Sequence, residues 1–229
     1  MQTFGNLFIV ATPIGNIEDI TFRAIKTLEN VDFIACEDTR ITSRLLNHYS
    51  ITTPLFVMSA RIEQNKIATV LDRIKSGENC ALVSDAGTPC ISDPGIRLVN
   101  AALKEDIKVT SIPGANAAIA ALSIAGLPTD SFLFEGFLPQ KKGRQKKLKE
   151  LCEIDKTIVL YESVYRIKKL LEELNEYMPE RIVSVQREIT KMFEENRTGT
   201  PSELLENLDE KKLKGEFVIV ISPQSWEAV

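Results

Sequence analysis

Residues 83–95 read VSDAGTPCISDPG. They overlap the end of the apolar run Cys80-Ala81-Leu82-Val83, read with Ser84 as a strand, and from Asp85 to Gly95 they use two Asp, two Gly and two Pro. A short apolar run bounded by turn residues reads as a buried strand. The loop after it is too rigid and too polar for a plain connector. Glycine lets backbone approach a ligand closely, and proline stiffens the turn. Asp85, at the strand end, is placed to accept hydrogen bonds from a hydroxyl or amino group. The stretch is expected to form one wall of a small-molecule pocket.

Working outward, two more strand ends carry similar punctuation: ATPIGN (11–16), at the end of the apolar strand Leu7–Ala11, and SIPGANAA (111–118). Between these loops, apolar residues recur at helical spacing, as Ile20, Ala24, Ile25 and Leu28 do in EDITFRAIKTLE (18–29). Strand–helix alternation predicts βαβ units and a largely parallel sheet, whose ligands sit at the carboxyl ends of the strands. The pattern changes near residue 115. PGANAAIAALSIAGLP is a small-residue helix, followed by FLFEGFL, a basic helical stretch, TIVLYES (157–163), a charged helix, RIVSVQREI and EFVIVI (216–221). The expectation is an α/β protein of two domains. Residues 1–115 carry a mostly parallel sheet and 116–229 a mixed α/β domain with a mixed sheet.

The bulk numbers narrow the class. The chain has 229 residues, 44% hydrophobic, with a formal net charge of -4 and a mean hydropathy of -0.05. No run approaches the roughly eighteen apolar residues of a membrane span, and the start lacks the basic region of a signal peptide. The four cysteines are scattered and His48 is the single histidine. A disulfide framework and a zinc site are therefore not expected, and a cytoplasmic location is. One segment departs from the acidic average. KKGRQKKLK (141–149) gathers Lys141, Lys142, Arg144, Lys146, Lys147 and Lys149, which suits either a solvated helix start or a local phosphate contact.

The familiar phosphate cradles GxGxxG and GxxxxGK[ST] are absent, as are HExxH and GxSxG. EDTR (37–40) places Glu37, Asp38 and Arg40 directly after a strand. Two readings stand side by side. Asp38 or Thr39 caps the helix that follows, or Glu37 and Arg40 face a polar substrate at the mouth of the crevice.

LFIVATPIGNIEDITFRAIKTLENVDFIACEDTR, SDAGTPCISDPG, SIPGANAAIAAL, LFEGFLP, LYES and KGEFVIVI together resemble the tetrapyrrole (corrin/porphyrin) methylase superfamily. The likeness is strongest to its ribosomal branch, which acts on small-subunit ribosomal RNA. The resemblance implies two α/β domains with S-adenosylmethionine in the cleft between them, usually in a homodimer. It implies methyl transfer to the 2'-hydroxyl of a cytidine ribose in 16S rRNA near the decoding centre, with no metal. The family pattern assigns the cofactor to Pro13, Asp85, Gly87, Thr88, Asn116, Ala117, Tyr161 and Glu216. Glu37, Asp38 and Arg40 are the candidates for positioning or proton removal. The resemblance also turns Lys141, Lys142, Arg144, Lys146 and Lys147 toward RNA contact. Two segments depart from the pattern. FVMSARIEQNK (56–66) stands where many members have a His/Asn-rich stretch, offering Arg61, Glu63 and Asn65 instead, and SPQSWEAV follows GEFVIVI where many members carry a further basic segment. A methylase with a small tetrapyrrole-like acceptor and a catalytically idle RNA-binding assembly protein are the rival readings.

Overall fold

Leu7, Phe8, Ile9 and Val10 send alternate side chains to opposite faces of a sheet, as a strand must. Leu7 and Ile9 enter one apolar core, Val10 and Phe8 another. The computed structural model describes residues 4–58, 63–208 and 214–226. The chain divides into two compact units, residues 1–116 and 117–229.

In the first unit β1 (Leu7–Val10), α1 (Phe22–Asn30), β2 (Phe33–Cys36), α2 (Thr39–His48), β3 (Leu55–Val57), α3 (Glu63–Lys75), β4 (Cys80–Leu82), α4 (Ile96–Lys104) and β5 (Val109–Ile112) alternate. The five strands run parallel in the order β3-β2-β4-β1-β5. Such a sheet is stable only with both faces covered, and here both are. Leu7, Phe33 and Leu82 pack with Val70, Ile74 and Leu98 from α3 and α4. Val10, Ile34 and Ala81 pack with Ala24, Leu28 and Leu46 from α1 and α2. Thr21 caps α1 by accepting a hydrogen bond from Ala24 N. β4 enters the sheet between β2 and β1, and the strand order reverses there, so the loops after β1 and β4 meet at the sheet's switch point.

The second unit contains α5 (Ala117–Ile124), β6 (Phe132–Phe137), α6 (Arg144–Cys152), β7 (Thr157–Ser163), α7 (Ile167–Tyr177), β8 (Val183–Arg187), β9 (Glu195–Gly199), α8 (Pro201–Glu206) and β10 (Glu216–Ile221). Its sheet has the order β6-β7-β10-β8-β9, parallel between β6 and β7 and antiparallel elsewhere. The parallel first sheet and mixed second sheet are those read from the sequence. One face is covered by α6, α7 and α8 through Leu148, Leu151, Leu170, Leu174 and Leu204 over Ile158, Leu160, Phe217 and Ile219. Ala118, Ala121 and Leu122 of α5 are buried, and the helix packs on β7 and β10. Two elements went unread in the sequence: β9 has no apolar alternation, and α8 has only the pair Leu204-Leu205. β9, ENRTG, is an edge strand of polar residues, and the short α8 is announced by its Thr200–Glu203 capping box.

Candidate active site

The strand-end loops of the first unit are stitched to one another by hydrogen bonds. Thr12 N donates to Gly87 O at 2.9 Å, and Gly87 N returns a bond to Thr12 O at 3.1 Å. The Thr12 hydroxyl donates to Ser84 O at 3.2 Å. From the same β4 loop, the Thr88 hydroxyl donates to Ala115 O at 3.0 Å, one residue before Asn116. Asp85 reaches the β2 loop, where its Oδ1 accepts from Asp38 N at 3.1 Å. The loops after β1, β2, β4 and β5 thus form one hydrogen-bonded rim, and Pro13 sits beside Thr12 within it. Gly87 has φ +78, and a Cβ there would lie 3.2 Å from Ile14 Cγ2. A side chain at this position is strained as well as crowded.

The rim carries four carboxylates in contrasting states. Asp38 caps α2, accepting from Arg40 N at 2.8 Å and from Arg40 Nε at 3.0 Å. Those Arg40 hydrogen bonds hold Asp38 down to about 2, and the same partner raises the Arg40 guanidinium. The capped-helix reading of EDTR is therefore correct for Asp38, and Arg40 turns back onto it. Glu37 accepts no hydrogen bond from the described residues. Burial raises its pKa, and the charges of Asp85, Asp93 and Asp38 add to the effect. Burial also raises Asp85, against the opposing hydrogen bond from Asp38 N. Asp85 Oδ2 accepts nothing from the described residues. Asp93 belongs to the same group: burial raises it, the Ser84 hydroxyl opposes, and Asp85 adds to the rise. Asp93 was not singled out above, although the repeated Ser-Asp of SDAGTPCISDPG is a signal for it. Among the described residues no group of three or more His, Cys, Asp or Glu is arranged to hold a metal ion.

In the second unit the Tyr161 hydroxyl accepts from Ala118 N at 3.2 Å, at the start of α5 beside Ala117. Phe134 and Phe137 meet the Tyr161 ring edge-on, with centroids 5.1 and 5.6 Å away. Glu216 stands apart from this group. Its carboxylate pairs with Lys191 at 2.9 Å and its backbone N donates to Glu188 Oε1 at 3.0 Å, closing the turn between β8 and β9. Arg61 lies outside the described residues, as do the side chains of Glu63 and Asn65.

The basic segment divides. Lys141, Lys142 and Lys146 are exposed, while Lys147 pairs with Glu135 at 3.0 Å. Arg144 requires a correction, because it is no surface cation. Its side chain is 3% exposed and pairs with Glu173 at 2.7 Å and with the fully buried Glu162 at 3.4 Å. The sequence shows the charge of Arg144, but its two acidic partners stand 18 and 29 residues away.

A profile of the tetrapyrrole (corrin/porphyrin) methylases matches residues 6–205. The chain belongs to this family. It is 48% identical to the ribosomal RNA small subunit methyltransferase I of Halalkalibacterium halodurans over 218 residues, 95% of this chain and 75% of that protein. The protein of the same name from Thermotoga maritima is 44% identical, with 95% of this chain and 98% of that one covered. A solved uroporphyrin-III C-methyltransferase from Thermus thermophilus, in complex with S-adenosylhomocysteine, shares the fold with a TM-score of 0.67. Its identity is 16%, over 96% of this chain and 98% of that one. As a tetrapyrrole methylase by descent, the chain has methyl transfer as its family's chemistry. Among the described residues no helix is long and apolar enough to cross a membrane.

Proposed function

We propose that this chain is an S-adenosylmethionine-dependent methyltransferase of small-subunit ribosomal RNA. The acceptor is the 2'-hydroxyl of a cytidine ribose near the decoding centre, and the working form is a cytoplasmic homodimer. One observation carries the reading. Relatives named ribosomal RNA small subunit methyltransferase I match 95% of the chain at 44–48% identity. The first unit's rim suits the cofactor. Gly87 presents backbone instead of a side chain, and Asp85 keeps an oxygen open to a donor.

When bound, the cofactor supplies an electrophilic methyl on a sulfonium that is already a good leaving group. The protein's task is then placement, with reacting atoms about 3 Å apart and aligned. Pro13, Asp85, Gly87, Thr88, Asn116, Ala117, Tyr161 and Glu216 are the residues proposed to hold the cofactor. Glu37 is assigned the ribose proton. An ordinary carboxylate is a weak base for so weak an acid, whereas burial and neighbouring carboxylates raise Glu37 and it accepts no hydrogen bond from the described residues. Asp38 and Arg40, already committed to each other, position instead of titrating. Lys141, Lys142 and Lys146, with Lys147 beside them, meet RNA phosphates. Mapping 2'-O-methylation of small-subunit rRNA from cells lacking the protein tests the reading. One cytidine is expected to lose its methyl, and an unchanged map contradicts the assignment.

A further inference from the structure

LYESVYRIKK (160–169) turns the chain from β7 into α7 and leaves Tyr165 94% exposed. A single exposed ring is unremarkable in itself. What distinguishes this one is the anchoring beneath it. Arg166 pairs with Glu162 at 2.6 Å and donates to Leu138 O at 3.4 Å. Arg144 pairs with the same Glu162 and donates to Pro139 O at 3.3 Å. Two arginines on one buried carboxylate therefore tie the turn after β6 to the turn after β7. Phe137, the last residue of β6, is 54% exposed although its ring meets Tyr161, and the turn after it presents the exposed Lys141 and Lys142. The second presents Tyr165. The carboxylate these turns contribute, Glu162, is entirely inside, so their solvent side carries cations and aromatic rings.

We propose that this anchored pair of turns is a single-stranded RNA contact, with bases stacking on Tyr165 and Phe137 and phosphates meeting Lys141 and Lys142. The proposal deepens the rRNA reading and rests on it. Unpaired bases are recognised by stacking on aromatic faces, and a cationic border tracks the backbone. Anchoring matters because turns already ordered before binding lose less conformational entropy on binding. Charge argues against a second copy of this chain on the same surface. An isologous contact centred on the lysine pair would bring like charges together at the two-fold axis, whereas RNA supplies the opposite charge.

The test is fluorescence anisotropy of the full chain with a labelled oligocytidine of about twelve nucleotides, within the usual single-strand site sizes. Tyr165→Ala is expected to weaken binding roughly tenfold and Tyr165→Phe about twofold or less, since the ring is what stacks. Replacing Lys141 and Lys142 with Gln is expected to lower the slope of log K against log salt by about 1.4, near 0.7 per phosphate contact on a single strand. Undiminished affinity in Tyr165→Ala overturns the proposal, as does failure of the wild-type chain to bind. A smaller sedimenting species with unchanged affinity overturns it too, and assigns the patch to a subunit contact. Methyl transfer from labelled S-adenosylmethionine to rRNA, measured on the same wild-type preparation, separates the two readings. Transfer with an indifferent Tyr165 removes only the stacking surface, and no transfer removes the rRNA function.

Discussion

Asp85 Oδ1 accepts a hydrogen bond from the backbone N of Asp38 at 3.1 Å, joining loops that lie 47 residues apart in sequence. The bond links the β4 loop, proposed to hold the cofactor, to the β2 loop, proposed to handle the acceptor. On that proposal Asp85 serves both, with one oxygen orienting EDTR and the other accepting nothing from the described residues.

Asp85→Ala removes the open oxygen and strands Asp38 N. Titration calorimetry with S-adenosylhomocysteine is expected to show affinity down by at least about tenfold, the scale of one lost charge-assisted hydrogen bond. Affinity equal to wild type would contradict the cradle.

Glu37→Gln keeps the shape of the side chain and removes its basicity. The rate of methyl transfer is expected to fall about a hundredfold, the lower end for a general base, with cofactor affinity preserved. The wild-type rate should rise as the pH passes through a pKa above the ordinary carboxylate range, because burial and neighbouring carboxylates raise that of Glu37. The Gln variant should lose this limb, and a variant retaining it would clear Glu37 of the role.

Arg144→Ala leaves Glu162 buried without one of its two cations. Removing one partner of a buried ion pair costs about 3–5 kcal/mol, so the urea midpoint should drop sharply. Lys146→Ala, at an exposed position, is expected to change stability by less than about 0.5 kcal/mol. Equal effects of the two changes would place Arg144 back on the surface.

Acid dependence should show two opposing contributions. Glu37, Asp85 and Asp93 titrate above the ordinary carboxylate range, chiefly through burial. Between the ordinary and the raised pKa the folded chain keeps protons that the unfolded chain has released. Stability from these groups therefore falls as pH rises through that window. Asp38 acts in the other sense. With its pKa at about 2, its contribution is full above the ordinary carboxylate pKa and is lost as pH falls from there through about 2. Asp93→Asn should raise the melting temperature at neutral pH and flatten the decline on the alkaline side of the window. Calorimetry at a series of pH values measures both, and an identical profile would remove Asp93 from the coupled group.

The parallel sheet was legible because its strands are continuous apolar runs ending in Gly and Pro, as at Val83–Gly95. The loops at their carboxyl ends follow from that topology, so the placement of Asp85, Gly87 and Thr88 on the rim was legible as well. Burial of charge was not. Nothing near Arg144 in the sequence separates it from Lys142 or Lys146, because its fate is decided by Glu162 and Glu173 on other elements. EDTR was open for the same reason. Only the folded geometry shows Arg40 turned onto Asp38 while Glu37 accepts no hydrogen bond from the described residues. β9 escaped reading because an edge strand with exposed residues needs no apolar alternation.

The most direct measurement incubates the purified chain and labelled S-adenosylmethionine with small ribosomal subunits or their naked rRNA, then digests the RNA to nucleosides. The account predicts label in 2'-O-methylcytidine, abolished or strongly reduced by Asp85→Ala and Glu37→Gln. Label in a methylated base, or none in RNA while a porphyrin or corrinoid acceptor is methylated, would contradict it.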